Sequence, residues 1–441
     1  MNVTLEQIVS LAKRRGFVFP GSEIYGGLAG TFDYGPLGVT LKKNIENLWW
    51  RMFVEERDDM YGIDAAILMN PKAWESSGHV AGFSDPLVDC SNCKKRFRAD
   101  HLEDPNVCPA CGKEGTLGEA RQFNMMFATK AGASEDESAT VYLRPETAGG
   151  MFVNFKNVVD SFHPKLPFGL AQIGKAFRNE IAPREFVFRV RELEQMEVEY
   201  FVRPEEWEAS FEAWRVGMLA FADAIGLPKD MLHELEVSAE DRAHYSKRTI
   251  DFEFDYPFGR RELWGLAYRT DFDLKAHQEG SSVSLEYQDE ETKTKFLPHV
   301  IEPSLGVGRT MLAVLASAYR EDELGGETRT YLALKPALAP VKAMVSPLLK
   351  NKPELVEKAK EVRKLLQKVH PAIAWDDNGN IGKRYRRQDE IGTPFCVTVD
   401  FDTLGENPEL EGTVTLRHRD TGAQERLSIE EVAERIRASL A

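Results

Sequence analysis

Residues 169–202 read GLAQIGKAFRNEIAPREFVFRVRELEQMEVEYFV, and the fold turns on how this stretch is read. It looks like two strands and a loop. The first run, Leu170 to Phe177, leads into Arg178-Asn179-Glu180. A loop holding Pro183 follows, since proline supplies no ladder donor and suits a turn. The second run, Val187 to Val202, reads as one long strand. Alternation puts Phe188, Val190, Glu192, Glu194, Met196 and Val198 on one face, and Arg189, Arg191, Leu193, Gln195 and Glu197 on the other. Each face mixes charge with apolar residues, which a plain half-buried strand avoids. A hairpin returning Arg178 beside Arg189 sets two guanidinium groups near one place, and guanidinium forks suit phosphate and carboxylate oxygens. The plainer alternative is an exposed hairpin laced with salt bridges.

Working outward, the chain of 441 residues has room for two or three domains, and its 42% hydrophobic content is ample for large cores. The start, MNVTLEQIVSLAKRRGF, is a charged amphipathic helix and not a signal peptide. No run of about 18 apolar residues is present to span a membrane. The 5 cysteines do not suggest a secreted disulfide scaffold. Together these features predict a cytoplasmic enzyme with no membrane segment. A net charge of −15 argues against a protein that simply coats nucleic acid, while leaving room for a specific RNA partner. Two basic clusters stand out: Lys94, Lys95, Arg96 and Arg98, and Lys383, Arg384, Arg386 and Arg387. Such clusters are more often solvated faces than binding patches.

In chain order, Thr4 to Arg15 predicts an amphipathic helix and residues 19–38 a Gly/Pro-rich structured loop. A long helix follows from about Val39 to Arg57. Its exposed-looking Trp49, Trp50 and Phe53 favour an interface, the alternative being a helix packed on its own domain. His79 carries no assignment. Cys90-x2-Cys93 and Cys108-x2-Cys111 have the spacing of a four-thiolate structural zinc site, the alternative being reduced cysteines in an insertion that has lost its metal. Cys396 reads as core. Pro204 to Gly226 and Asp230 to Lys247 look helical, and Thr249 to Phe258 alternates as a strand. His299 to Arg309, HVIEPSLGVGR, opens an apolar helix from Thr310 to Ala318. A Gly-rich turn into a helix lets backbone and Arg309 approach a phosphate. It is not a P-loop, because no GK[ST] follows. Arg320 to Thr330 reads as a linker. Beyond it strands and helices alternate, as in a small α/β domain with a mixed sheet.

FRNE, then a loop, then FRVRELEQME resembles the second signature motif of class II aminoacyl-tRNA synthetases, most closely the dimeric glycyl-tRNA synthetase family. Other motifs of that family follow in its order. They are WESSGHVAGFSD at 74–85, LRPETA at 143–148, RELWG at 261–265, YRTDFDL at 268–274, EPSLGVGR at 302–309 and NGNIGKRYRRQDEIGTPFCVTVDFDT at 378–403. The resemblance implies an α+β fold. A class II antiparallel-sheet catalytic domain would occupy residues 1–325, with a zinc-ribbon-like insertion at 90–120 and a helical insertion at 203–248. A C-terminal mixed α/β anticodon-binding domain would occupy residues 326–441. There the cluster from Lys383 to Arg387 could track RNA phosphates.

The implied partners are ATP with Mg²⁺, glycine, tRNA(Gly) and a second copy of the chain, since the family places a dimer-interface helix near residue 39. By the same resemblance Arg178, Arg309 and Glu262 are catalytic: Arg178 on the α-phosphate and the incoming carboxylate, Arg309 on the γ-phosphate, Glu262 at Mg²⁺. Further ATP contacts are Asn179, Glu180, Phe188, Arg189, Val190, Arg191, Glu192, Leu193, Leu263, Gly306, Val307 and Gly308. The glycine contacts are Arg98, Glu146, Leu193, Glu194, Gln195, Met196, Glu197, Arg269, Glu302, Pro303, Ser304, Leu305 and Gly306. Glu146, Glu197 and Glu302, with Ser304, would surround the ammonium. Gathered carboxylates without a cation should repel, so some of their pKa values should rise. Two positions depart from the family: Gly149 stands where glutamine is usual, and Leu193 where phenylalanine would stack on adenine. A synthetase-like accessory protein without aminoacylation is the rival reading, and retention of the arginines and glutamates counts against it.

Overall fold

The computed structural model describes residues 3–133, 136–243 and 245–440. Its centre is a seven-stranded sheet. The strands are β1 (Met60–Gly62), β2 (Phe168–Phe177), β3 (Glu192–Val202), β4 (Leu232–Glu236), β5 (Arg248–Tyr256), β6 (Gly259–Thr270) and β7 (His299–Gly306). Their order is β4-β5-β6-β7-β3-β2-β1, antiparallel throughout except for β1 on β2. Period two on β3 decides what faces what. Met196, Val198, Tyr200 and Val202 join the main core, with Leu41, Ile45 and Trp49 of α1 (Pro36–Trp50) and Met311 and Leu315 of α2 (Val307–Ala318). Phe201 lies on the opposite face, with Phe152 and Phe155 of the helix Ala148–Phe162. Of the other odd positions, Gln195, Glu197 and Glu199 are buried and polar, and Leu193 is half-buried.

Four expectations need correction. The second hairpin strand begins at Glu192 and not at Val187: Phe186–Phe188 is a turn of 3-10 helix, entered through Glu185 and Phe186 at φ of 53° and 57°. Reversing the chain there costs the extended run its first five positions. Asp230 to Lys247 is not helical among its described residues. Leu232–Glu236 instead pairs with Phe254 to Ile250 of β5 as the sheet's edge strand, so the open edge overrides the helix-like spacing of Leu232 and Leu235. Helix is confined to Trp207–Ala224 and short 3-10 turns in that insertion.

Trp49 and Phe53 do not face an interface. They are buried at 1% and 4% exposure, and the Phe53 ring meets Trp214 and Phe221 of the helix Trp207–Ala224. Finally, the expected linker is a β-hairpin, Tyr319–Leu324 on Glu327–Leu332. Gly325 and Gly326 form its turn at φ of 65° and 80°, a double left-handed step that glycine takes without strain.

The C-terminal sheet contains β8 (Ala343–Pro347), β9 (Ile373–Trp375), β10 (Phe395–Val399), β11 (Thr413–His418) and β12 (Gln424–Ser428). Its order is β9-β8-β10-β11-β12, parallel among the first three and antiparallel after. The helices Pro353–Leu366 and Ile429–Ser439 bury Leu355, Val362, Leu366, Val432 and Ile436 against it. The basic cluster on the helix Ile381–Glu390 is mostly spent inside the fold. Arg384 is 1% exposed and donates to the carbonyls of Pro347 and Gly379 at 2.5 and 2.7 Å. Arg387 pairs with Asp376 at 2.8 Å and Arg386 with Glu327 at 3.4 Å. Lys383 has no ion pair among the described residues, and Arg386 and Arg387 stay partly exposed beside their partners. Among the described residues no helix is long and apolar enough to cross a membrane.

Candidate active site

The polar face of β3 opens into one cavity, also lined by residues of the β2–β3 hairpin, β5, β6, β7 and the first turn of α2. The hairpin closes through the Arg178 N–H donating to the Arg191 carbonyl at 2.9 Å. Arg178 and Arg189 therefore both line the cavity, as the hairpin reading anticipates. Arg178 Nε donates to the Pro145 carbonyl at 3.0 Å, and its guanidinium lies 5.5 Å from the Phe83 ring centre. Arg309 sits in the first turn of α2, where Gly308 passes so close to the Val187 carbonyl that a Cβ would lie 2.7 Å from its oxygen. The guanidinium lies 4.6 Å from the Phe188 ring centre and 3.1 Å from the Glu262 carboxylate. That partner, against the pull of burial, holds Glu262 below the usual carboxylate range. Asp251, in the same cavity, is pushed up to about 7 by burial, then by Glu262 and Glu253. This end of the cavity gathers guanidinium groups around a pair of acids.

The other end gathers acids. Glu197 accepts from the Thr147 hydroxyl at 2.5 Å, the Ser304 hydroxyl at 2.6 Å and Gln195 Nε2 at 3.2 Å. Pairing of β3 with β7 sets Glu197 opposite Ser304. Both oxygens of Glu302 accept from Arg269 Nη1 at 2.9 Å. Arg269 also donates to Asp273 at 2.8 and 2.7 Å, with its guanidinium 3.8 Å from the Tyr245 ring centre. Burial pushes Glu302 up to about 8; Arg269 opposes this and Glu197 and Glu146 add to it. Burial and then the Glu146 charge also raise Glu197. Glu146 moves the other way, to about 2: burial raises it, but His79, Arg269 and Arg178 outweigh burial. Its carboxylate stands 3.4 Å from His79 Nε2, and His79 Nδ1 bonds the Ser77 hydroxyl at 2.8 Å.

Of the expected residues, Glu146, Arg178, Glu180, Phe188 to Val190, Glu192 to Gln195, Glu197, Glu262, Leu263, Glu302, Ser304, Gly306, Gly308 and Arg309 line this cavity. Several do not. Arg98 is held by Asp85 at 2.7 Å and Asp100 at 2.6 Å. Arg191 is engaged with the carbonyls of Glu180 and Ala29. Met196, Leu305 and Val307 lie in the core on the far face. Pro303 and Asn179 are outside the lining, and Arg269 stands behind Glu302 with both its acids satisfied.

The sequence reading missed Glu199, which is fully buried two residues beyond Glu197. Among the described residues neither of its oxygens has a hydrogen-bond partner, and burial, then Glu302, keep its carboxyl well above the usual range. Its signal was the i+2 spacing from Glu197. His79, which carries no assignment from the sequence, stands beside Glu146, and Lys175, Arg242, Tyr245 and Asp251 line the cavity from outside the site residues the motifs imply. At Gly149 a Cβ would lie 2.8 Å from the buried Trp74 ring, so the indole occupies the space a side chain there would enter.

Apart from this cavity, the Sγ atoms of Cys90, Cys93, Cys108 and Cys111 all lie within 4.8 Å of one another. The Cys90–Cys111 and Cys93–Cys108 separations are 3.8 and 3.7 Å. A tetrahedral thiolate site with Zn–S near 2.3 Å requires edges of about 3.8 Å, so the donor set and spacing fit zinc.

Two family descriptions match the chain: the class II tRNA synthetase core domain (G, H, P, S and T) over residues 127–318, and the anticodon binding domain over residues 342–439. Curated relatives match from end to end. The glycine–tRNA ligase of Lachnospira eligens is 51% identical over 97% of this chain and 97% of its own. That of Clostridium tetani is 50% identical over 98% of each, and that of Geobacillus kaustophilus 49% identical over 98% of each.

Proposed function

The chain belongs to the glycine–tRNA ligases of class II, and from that membership we propose which of its residues carry the reaction. The reaction joins glycine to tRNA at the expense of ATP. In the first step the glycine carboxylate oxygen attacks the α-phosphorus of ATP, and the bond to pyrophosphate breaks. In the second a terminal ribose hydroxyl of the tRNA attacks the adenylate carbonyl and AMP leaves. Such transfers need alignment and charge neutralisation more than a side-chain nucleophile. Arg178, with no carboxylate partner among the described residues, neutralises the α-phosphate and the incoming carboxylate. Arg309 exchanges Glu262 for the γ-phosphate. Glu262 and Asp251 are the acids suited to hold Mg²⁺, which when bound offsets phosphate charge. Leu193 packs on adenine without aromatic stacking.

Glu146, Glu197, Glu302 and Ser304 hold the glycine ammonium. One observation supports this assignment: Glu146, Glu197, Glu302 and Ser304 line the same end of one cavity, where burial and neighbouring acids also raise Glu197 and Glu302. Charge-assisted bonds to the ammonium and carboxylate supply affinity that a missing side chain cannot. A larger rival is rejected by space alone, so no editing domain is needed. Glycine-dependent ATP–pyrophosphate exchange, run beside alanine and serine, tests the reading. Exchange with glycine alone is expected. No exchange with any of the three would favour the accessory-protein alternative, and equal exchange with alanine would refute the pocket assignment.

We place the catalytic region in residues 1–325 and the anticodon-binding region in 326–441, meeting at the turn of the hairpin at Gly325. The tRNA read there is tRNA(Gly). We assign a structural Zn²⁺ to Cys90, Cys93, Cys108 and Cys111, binding a ribbon at 90–120 to itself. A homodimer is supported by the loop at 21–30, whose Ile24, Tyr25 and Leu28 are 88%, 87% and 61% exposed and form apolar surface a second copy would cover. The unpaired cysteines suit a cytoplasmic setting.

A further inference from the structure

Among the described residues, Arg189 and Arg242 alone of the arginines show neither a side-chain hydrogen bond nor an ion pair, and both line the active-site cavity. Other cations of the same cavity are occupied: Arg309 by Glu262, Lys175 by Glu192 at 2.8 Å, Arg178 by a carbonyl. Arg189 belongs to the hairpin already assigned to the nucleotide. Arg242 belongs to none of the motifs. It lies in the loop between β4 and β5, and its Nε is buried without a partner.

The loop is well anchored. Its ends are tied by the Val237 N–H to the Thr249 carbonyl and the Lys247 N–H to the Tyr268 carbonyl, each at 2.9 Å. A turn inside it is fixed by the Arg242 N–H on the Ser238 carbonyl at 3.1 Å and by the Ser238 hydroxyl on Asp241 at 2.7 Å. Asp241 lines the cavity too, but spends that oxygen on Ser238 and forms no ion pair with Arg242. Three residues on, Tyr245 lies over Arg269, which brings the loop to the glycine end. A guanidinium stripped of water at Nε and left without an acid is an unfilled demand for an anion.

We propose that Arg242 is a substrate-contacting residue that binds a phosphate oxygen at the glycine end of the cavity. This rests on the glycine–tRNA ligase reading above. Two phosphates come to that place during the reaction: the α-phosphate that the glycine carboxylate attacks, and the terminal phosphodiester of the tRNA whose ribose takes the glycyl group. Both offer the planar fork the same oxygens.

The test uses the full-length enzyme and two assays, glycine-dependent ATP–pyrophosphate exchange without tRNA and single-turnover transfer from preformed glycyl-adenylate to tRNA. Arg242→Gln is expected to lower at least one of them by about tenfold or more, and Arg242→Lys to recover part of the loss. Loss of kcat/KM for ATP in exchange identifies the nucleotide phosphate. Intact exchange with slowed transfer identifies the tRNA terminus. Both assays within about twofold of the unsubstituted enzyme would overturn the proposal. So would an effect confined to the glycine KM, or a loss equal in the Gln and Lys variants and matched by a fall in Tm. If the unsubstituted enzyme shows no glycine-dependent exchange, the functional reading fails first, independently of Arg242.

Discussion

The glycine end of the cavity should make the enzyme sensitive to pH in a specific way. An ammonium ion binds best to ionised carboxylates, yet burial and the neighbouring Glu197 and Glu146 push Glu302 up to about 8. Below that value Glu302 holds a proton it must release when glycine binds. The ionised fraction of Glu302 grows as pH rises toward that value, so kcat/KM for glycine should rise by roughly an order of magnitude between about pH 6.5 and 8.5. Glu146, at about 2, is ionised throughout and adds no slope in this window. The assay is ATP–pyrophosphate exchange with glycine varied at saturating ATP, repeated with ATP varied. The glycine profile should climb and the ATP KM should stay nearly flat. Glu302→Gln removes the titrating group while leaving Arg269 its bidentate bonds to Asp273. It should raise the glycine KM by at least about tenfold and flatten the profile. A flat profile in the unsubstituted enzyme, or an unchanged slope in Glu302→Gln, would refute the reasoning.

The same proton has a stability signature: the folded-state pKa of Glu302 is raised, so its contribution is present at low pH and lost as pH rises through about 8. Without glycine, the Tm of the unsubstituted enzyme should therefore fall relative to Glu302→Gln between about pH 6.5 and 8.5, and a constant difference would count against it. Glu197→Gln should raise the glycine KM by about tenfold or more and the ATP KM much less; equal effects on both would remove Glu197 from the ammonium site. Leu193→Phe should lower the ATP KM severalfold by restoring a stacking face, and an unchanged or higher value would show that leucine costs nothing. Metal analysis of purified protein should find about one zinc per chain, lost in Cys93→Ser; metal-free protein with freely titrating thiols would leave the ribbon without its ion.

Much of this was legible because the informative patterns are local. FRNE, the loop and RELEQME fix a hairpin within 34 residues, and β-pairing then sets Glu197 opposite Ser304. What stayed hidden depends on elements far apart in the chain. Trp49 and Phe53 look exposed on their own segment; both are buried, and Phe53 meets Trp214 and Phe221, more than 160 residues later. Leu232–Glu236 has spacing that suits either a helix or a strand, and only the free edge of β5 decides between them. The cluster around Arg384 looks like a face for RNA until the carbonyls of Pro347 and Gly379 claim its guanidinium. Arg98 is similarly claimed by Asp85 and Asp100. For Arg384 and Arg98 the residue type suits the expected chemistry, and other groups of the fold hold the guanidinium.

Glu199 carries that reasoning one step further. It shares a face with Glu197, is fully buried, and finds no hydrogen-bond partner among the described residues. An ionised carboxylate there would be costly, so burial and Glu302 hold it protonated well above the usual range. A neutral Glu199 adds no charge to compete with Glu302 for Arg269, whose two bidentate contacts are already Glu302 and Asp273. The pocket thus has fewer negative charges than acids: Glu146 fully ionised beside His79, Glu197 and Glu302 raised, Glu199 silent. On the proposed assignment, an arriving ammonium would draw the raised pair toward ionisation. Its attraction for the ionised pair must exceed the cost of releasing the protons they hold, and a ligand of the same size lacking the positive charge could not offset that cost.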